Sequence, residues 1–257
     1  MRSRYRISLG GVQLDTIDND LLILDIGYSA PEVSTPEHRA ADLDGVDCGD
    51  KYFSKQTVTV TFELHIYDVA QRNAVCQKVN EWAAAGGTLV TNDRAGQRLW
   101  NTRCDKFASI ESARNWTDPL TLVFTTTYLP FWVSNEDKTL TLTGKSAKGK
   151  LKMDGNIRSA KVSATVTAAA SVTSFQITVG DTKLKLTGIS LASGKDLVID
   201  YVRNRYLRIR ADGKSVMDKL DASSSDMLLA PCGTNTDVSI TANNKVTAVI
   251  KARGLWL

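Results

Sequence analysis

The chain has 257 residues, 42% of them hydrophobic and 23% charged, with a formal net charge of +4. That length accommodates one to two globular domains, and a mean hydropathy of -0.17 without a long apolar run excludes a membrane-spanning helix. The charge is unevenly placed: residues 1–132 hold thirteen Lys and Arg against seventeen Asp and Glu, the remainder nineteen against eleven, so the halves carry -4 and +8.

The basic start, Met1 to Arg6, runs into the alternating Ile7-Ser8-Leu9-Gly10-Gly11-Val12 instead of an apolar core. It does not read as a signal peptide, and synthesis in a cytoplasm is expected. Leu21 to Ile26 is the first strand candidate. From Gly27 to Ser54 no period holds, and a stretch about twice the usual limit for structureless loops is expected to be an arm with a task. Thr57 to Tyr67 then alternates Val58, Val60, Phe62, Leu64 and Ile66 with Thr57, Thr59, Thr61, Glu63 and His65, a strand with one buried and one wet face. Asp68 is placed to cap a helix from Val69 to about Ala85. Its buried side would carry Val69, Val75, Cys76, Val79, Trp82 and Ala83, and Gly86-Gly87 would stop it. Arg98 to Cys104, Phe107 to Ser112 and Leu120 to Tyr128 are further strands.

Pro130, in Leu129-Pro130-Phe131-Trp132, ends that series, and the composition shifts to Ser134-Asn135-Glu136-Asp137 and a lysine-dotted Thr/Gly segment. A domain boundary is expected there, giving domains 1–133 and 134–257. The second domain shows no helical period. Strands are expected at Lys161–Thr167, Ser174–Val179, Thr182–Thr187, Leu197–Tyr201, Tyr206–Arg210, Asp237–Thr241 and Val246–Lys251, joined by Gly-Asp, Ser-Gly, Asp-Gly and Asn-Asn turns, which reads as an antiparallel β-sandwich. Lys138, Lys145, Lys148, Lys150, Lys152 and Lys161 lack the aromatic interleaving of a nucleic-acid platform and read as a solvated basic face.

Chemistry is sparse. Cys48, Cys76, Cys104 and Cys232 lie too far apart for metal or redox pairs and read as free thiols. The run from Asp42 to Asp50 has the carboxylate density that hard cations favour, but Gly45 falls at its fourth position and no Glu closes it, so a calcium loop fails and no metal is expected. His38 and His65 sit in no nucleophile motif, and G-x-S-x-G, G-x-x-x-x-G-K, G-x-G-x-x-G and H-E-x-x-H are all missing, so neither catalytic residues nor a cofactor is expected. Trp82, Trp100, Trp116, Trp132 and Trp256 are read as packing residues in preference to sugar-stacking ones.

The order of Ile26-Gly27-Tyr28-Ser29-Ala30-Pro31-Glu32, the strand from Thr57 leading to the helix with Trp82, Trp116-Thr117-Asp118-Pro119, Leu129-Pro130-Phe131-Trp132, Asp212-Gly213-Lys214-Ser215, Ser224-Ser225-Asp226, Pro231-Cys232-Gly233-Thr234-Asn235 and Arg253-Gly254-Leu255-Trp256 resembles the distal tail proteins of long-tailed phages with non-contractile tails. The resemblance covers nearly the whole chain. It implies a mainly β protein: an N-terminal tail-tube-like β-sandwich or split barrel with one packed α-helix, then a C-terminal galectin-like antiparallel β-sandwich. It further implies a hexameric ring in the virion. The tail tube protein would lie on one side, tail-tip and receptor-binding proteins on the other, and DNA would pass as a transient passenger. A closing ring needs heterologous contacts, which an arm reaching a neighbour supplies. Pro31, Glu32, Arg39, Asp42, Asp44, Asp47 and Tyr52 are the expected arm contacts. The acidic Asp25–Asp50 stretch is expected to rim a channel that DNA crosses without sticking. A carbohydrate-binding adhesion module is the alternative reading, and an enzyme acting on the cell wall a third.

Overall fold

The computed structural model describes residues 4–35, 37–38, 47–48, 52–109, 118–127, 129–202 and 205–257, with 37–38 and 47–48 described by their backbone. The chain divides into two compact units, Met1–Trp132 together with Leu257, and Val133–Trp256. It is mainly β, built from antiparallel sheets, with one α-helix among the described residues.

The first unit contains β1 (Ile7–Leu9), β2 (Val12–Gln13), β3 (Leu21–Tyr28), β4 (Val33–Ser34), β5 (Glu37–His38), β6 (Asp47–Cys48), β7 (Tyr52–Phe53), β8 (Thr57–Leu64), α1 (Val69–Ala84), β9 (Gly87–Thr91), β10 (Gln97–Lys106) and β11 (Leu120–Thr126), with β12 (Trp132–Ser134) at the boundary. Its main sheet runs β2-β1-β9-β10-β11-β8-β3. The alternation in β8 sets the register: Val58, Val60 and Phe62 face Phe124, Leu122 and Leu120 across the ladder. All six are at most 2% exposed. Burial of this kind contributes about 1.5–3 kcal/mol per large side chain.

Helix α1 begins where Asp68 accepts a hydrogen bond from the Gln71 amide at 2.7 Å. It lays Trp82 edge-on against Phe124, ring centroids 5.8 Å apart, and the indole N–H donates to the Val12 carbonyl at 2.9 Å. The buried stripe contains Arg72 where the sequence suggests Val69, which is 57% exposed. At about 100° per residue, Arg72 falls in the middle of the arc spanned by Val75, Cys76, Val79 and Ala83, while Val69 lies at its margin in the first turn.

Two strand expectations change. The strand from Thr57 ends at Leu64: the His65 amide still reaches the Asp20 carbonyl in register with β3, but the Ile66 amide turns back onto the Leu64 carbonyl at 2.8 Å. Phe107–Ser109 is not a strand: β10 ends after a register shift between Cys104 and Lys106, and the Ala108 backbone pairs with the Asn80 side-chain amide instead. The rest of that expected strand, 110–112, lies outside the described residues.

The second unit contains β13 (Lys138–Lys152), β14 (Ser159–Lys161), β15 (Ser163–Ala168), β16 (Val172–Val179), β17 (Thr182–Leu191), β18 (Asp196–Val202), β19 (Tyr206–Ala211), β20 (Lys214–Ser215), β21 (Leu229–Pro231), β22 (Asn235–Ala252) and β23 (Leu255–Trp256). Strands β13 and β22 are long enough to serve two layers. The first half of β22 pairs with β16, which pairs with β17; its second half pairs with β15, followed by β18, β19 and β20. β13 pairs with both halves and shifts register between Gly144 and Ser146. A Cβ placed at Gly149 would lie 3.0 Å from Leu142 and 3.1 Å from Leu140, so the inward faces of the two halves of β13 meet in one core. Strand β13 runs through the lysine-dotted Thr/Gly segment, where no strand is expected, and β22 replaces two strands with an Asn-Asn turn. Asn243 and Asn244 do not reverse the chain; their side chains bind it to the neighbouring segment, Asn243 Oδ1 accepting from the amides of Thr173 and Ser174 and Asn244 Nδ2 donating to the Ser171 carbonyl.

Candidate functional site

The stretch after β3 folds as a narrow ribbon. β4 pairs with β7, placing Val33 opposite Phe53 and Ser34 opposite Tyr52, and farther out β5 pairs with β6, Glu37 opposite Cys48 and His38 opposite Asp47. The arm is therefore a two-stranded hairpin, too narrow to bury both faces. Val33 and Tyr52 are 56% and 51% exposed. At its base the Glu32 amide donates to the Lys55 carbonyl, the Ser54 amide donates to the Glu32 carbonyl, and the Glu32 carboxylate lies 3.4 Å from Lys55 Nζ. Pro31 is buried and Glu32 exposed. Of the expected contacts, Pro31, Glu32 and Tyr52 thus fall on the base of the ribbon and Asp47 on its outer ladder. Arg39, Asp42 and Asp44 lie outside the described residues.

Below the ribbon the sheet is clamped by groups that sequence reasoning missed. Gln56 is 1% exposed; its side chain donates to the Ser29 carbonyl at 3.1 Å, and its backbone N–H donates to Thr126 Oγ1 at 3.0 Å. Tyr28, the last residue before the arm, meets Trp132 edge-on with centroids 5.4 Å apart. The Arg94 guanidinium lies 4.9 Å from the Tyr28 ring centre and 4.8 Å from that of Trp132, and donates to the Leu257 backbone oxygen at 2.9 Å. The Tyr28 hydroxyl donates to Asp93 at 2.6 Å and lies 3.0 Å from Thr91 Oγ1. Burial, reinforced by the Asp93 carboxylate, holds that hydroxyl far above the ordinary tyrosine range. Phe53 packs edge-on against Phe131, centroids 5.2 Å apart. A Tyr, an Arg and a Trp at positions 28, 94 and 132 carry no local sequence signal; only the fold brings them together.

On β3, β8 and β11 the outward face beside the arm is uncharged or acidic, and the next strand, β10, sets Arg103 opposite Thr125 and Lys106 opposite Val123 on the same side. Thr57, Thr59 and Thr61 on β8 stand opposite Thr125, Val123 and Thr121 on β11, and Thr61 also stands opposite Asp25 on β3. None of the three strands contains a Lys or Arg.

No group of three or more His, Cys, Asp or Glu side chains capable of holding a metal occurs among the described residues. Cys76, Cys104 and Cys232 are free, and burial pushes all three thiols up, leaving little thiolate for nucleophilic attack. His65 lies 2.7 Å from Glu63, with no nucleophile in that pairing. Trp82 and Trp132 are buried, and no helix among the described residues is long and apolar enough to cross a membrane.

No protein-family model matches the sequence, and no curated protein is similar to it. The solved structures are informative. The crystal structure of the Dit (gp 19.1) protein of phage SPP1, described as a paradigm of hub adsorption apparatus in Gram-positive-infecting phages, matches with a TM-score of 0.69 at 13% identity, covering 97% of this chain and 98% of that one. The chain has the Dit fold. Two structures of the phage P2 baseplate in its activated conformation, with Ca and with Sr, cover 97% of both chains at 7% identity with TM-scores of 0.47 and 0.46, too low to carry an argument. The mainly β Dit-like architecture, with one α-helix among the described residues, agrees with the sequence expectation.

Proposed function

We propose that the chain is a structural phage distal tail protein. Six copies form a ring that joins the tail tube to the tail-tip and host-adsorption apparatus and leaves a channel for DNA. The observation that carries this reading is the match to a Dit protein from end to end, covering both units at a TM-score of 0.69. In this reading residues 1–133 are the tail-tube-like, ring-forming domain and 134–257 a galectin-like domain; no catalytic role is assigned to either.

The arm supports ring closure. A two-stranded ribbon with Val33 and Tyr52 exposed at its base gains most by lying on a neighbour, and a heterologous contact repeated six times closes without a large flat apolar patch. The outward face of β3, β8 and β11 supports passage of DNA. Threonine hydroxyls beside Asp25, with no Lys or Arg on those three strands, form a strip that offers phosphates no counter-charge, bounded on β10 by Lys106 and by Arg103, which is paired with Asp105 at 2.8 Å; a fully basic lining would hold them. The Asp42, Asp44 and Asp47 carboxylates belong to the same acidic half.

Light scattering with negative-stain imaging tests the reading. Six chains of 28.1 kDa give a particle of about 169 kDa, expected as a six-fold ring with an open centre. A protein that stays monomeric at all concentrations, and also when its tail tube protein is added, refutes it.

A further inference from the structure

Five lysines of the second unit share one face. Beyond the register shift at Gly144/Ser146, Lys148, Lys150 and Lys152 all point outward from β13 and are exposed. Two strands away from β22, Lys183 and Lys185 of β17 point to the same side, because each stands opposite an outward residue of β16: Lys183 opposite Thr178, Lys185 opposite Gln176. Those stand in turn opposite Ser239 and Thr241 of β22, which face Lys148 and Ser146 of β13. One row across the layer therefore reads Lys148, Ser239, Thr178, Lys183, and the next Ser146, Thr241, Gln176, Lys185. Two columns of ammonium groups, about 14 Å apart at three strand spacings, flank a trough of hydroxyls and one amide. At one end lies a depression of about 300 Å³ lined by Ser174, Gln176, Lys185, Thr241 and Asn243 over Phe175 and Leu186. Two carboxylates interrupt the face: Asp237, 3.8 Å from Lys150, and Asp221, 3.2 Å from Lys185.

We propose that this face binds a hydroxylated polymer carrying regularly spaced phosphodiesters, a polyol or sugar phosphate of the kind displayed on a cell surface. The lysine columns match repeated anions, since successive outward residues of β13 lie about 6.7 Å apart. The trough offers donors and acceptors to hydroxyl groups, and the depression takes one unit of the polymer. Nucleic acid fits less well, because no aromatic side chain projects from the face to stack on a base. Lysine on edge strands also prevents sheets from pairing, and β13 and β17 are the edges of this layer. Edge protection requires neither the polar trough nor the depression between them. The proposal is independent of the hub reading: it concerns the second unit's surface whether or not a ring forms.

The test is titration of the full chain with a synthetic glycerol-phosphate oligomer, alongside inorganic polyphosphate and single-stranded DNA of matched charge and neutral dextran. Binding of the oligomer should weaken with salt by a log-log slope of about 0.7 per lysine engaged. The triple change Lys148→Gln, Lys150→Gln, Lys152→Gln should weaken binding roughly tenfold or more and lower that slope by about 2. Gln176→Ala with Thr241→Val should weaken the glycerol-phosphate oligomer severalfold and leave polyphosphate unchanged. Asp237→Asn, which adds no new side-chain bulk and frees Lys150, should tighten binding, and it keeps the test decisive if the lysine variants self-associate in light scattering. Equal binding of dextran, DNA binding as tight as the oligomer's, or an affinity indifferent to both the lysine changes and Asp237→Asn overturns the proposal.

Discussion

Replacing Arg94 by Ala should loosen the root of the arm measurably. Its guanidinium lies within 5 Å of two ring centres, at 4.9 Å from Tyr28 and 4.8 Å from Trp132. Partly exposed cation–π contacts are worth about 0.5–2 kcal/mol each. The bond to the Leu257 oxygen at 2.9 Å is charge-assisted, about 1.5–3 kcal/mol before allowance for solvent. Both partners of the ring pair stay when Arg94 is removed, so Tyr28 and Trp132 still pack edge-on, and water reaches part of the vacated space. The net loss is therefore put at about 2–4 kcal/mol, below the sum of the separate contacts. For a unit of this size each kcal/mol moves the midpoint by about 3–5 °C, so the calorimetric midpoint of the unit that contains Arg94 should fall by roughly 8–15 °C. Arg94→Lys keeps the charge but not the planar group that stacks between the rings, and should recover about half of that loss. Because the arm leaves the sheet at Tyr28, the variant should also assemble less completely in light scattering at a temperature where it is still folded. A melting point within about 2 °C of the parent chain would refute the reasoning, since it would leave none of the three contacts with a measurable share.

Three further outcomes are expected. Burial pushes the Tyr201 hydroxyl up to about 12, and the Leu228 amide donates to it at 2.8 Å; the stability this contributes is complete below pH ~10 and is lost as pH rises towards 12, by about 2–3 kcal/mol. Urea titrations across that range should show the loss in the parent chain and a flatter profile in Tyr201→Phe, which starts about 1 kcal/mol lower at neutral pH. Gly155→Ala should destabilise the second unit by more than about 3 kcal/mol in chemical denaturation, because Gly155 has φ +107° and a Cβ there would collide with the Leu255 carbonyl oxygen and lie 2.8 Å from its nitrogen. Replacing residues 33–53 by a short Gly/Ser turn should leave both calorimetric transitions in place and abolish the six-chain particle; a particle of unchanged mass would remove the arm from ring closure.

The parts of the fold legible in the sequence are those where one period runs uninterrupted and local chemistry marks the end. Strand β8 alternates without a break and α1 is announced by Asp68 and stopped at Gly86, so both could be placed to within a few residues. Strand β13 was hidden because its inward set, Leu140 and Leu142, changes parity at the shift near Gly144 and continues as Ala147, Gly149 and Leu151. Two glycines in the run then look like turn residues although Gly149 lies within the strand, with Leu140 and Leu142 packed close over it. The arm was legible as an anomaly of length, not as a hairpin: its ladders are two residues long and one position out of step with each other, which erases any period of two. The Tyr28–Arg94–Trp132 cluster was invisible for a different reason, since its members are far apart along the chain and aromatic and basic residues at such distances are common.

The same change of parity governs how the charge of the second unit is displayed. A net +8 says only that lysines outnumber acids. Had β13 kept the parity of Leu140 and Leu142 through residue 152, Lys148, Lys150 and Lys152 would point into the core and Leu151 out of it, an arrangement that burial of three unpaired ammonium groups forbids. The register shift at Gly144, an odd number of residues and therefore a change of parity, is what allows a single strand to close the core of both layers and still carry three lysines on one outer face. The lysines of β17 reach that same face through the register with β16. A basic surface facing one way is thus a product of where the strand slips, and an insertion or deletion of one residue between Lys145 and Lys148 should disperse it even where the composition and net charge stay the same.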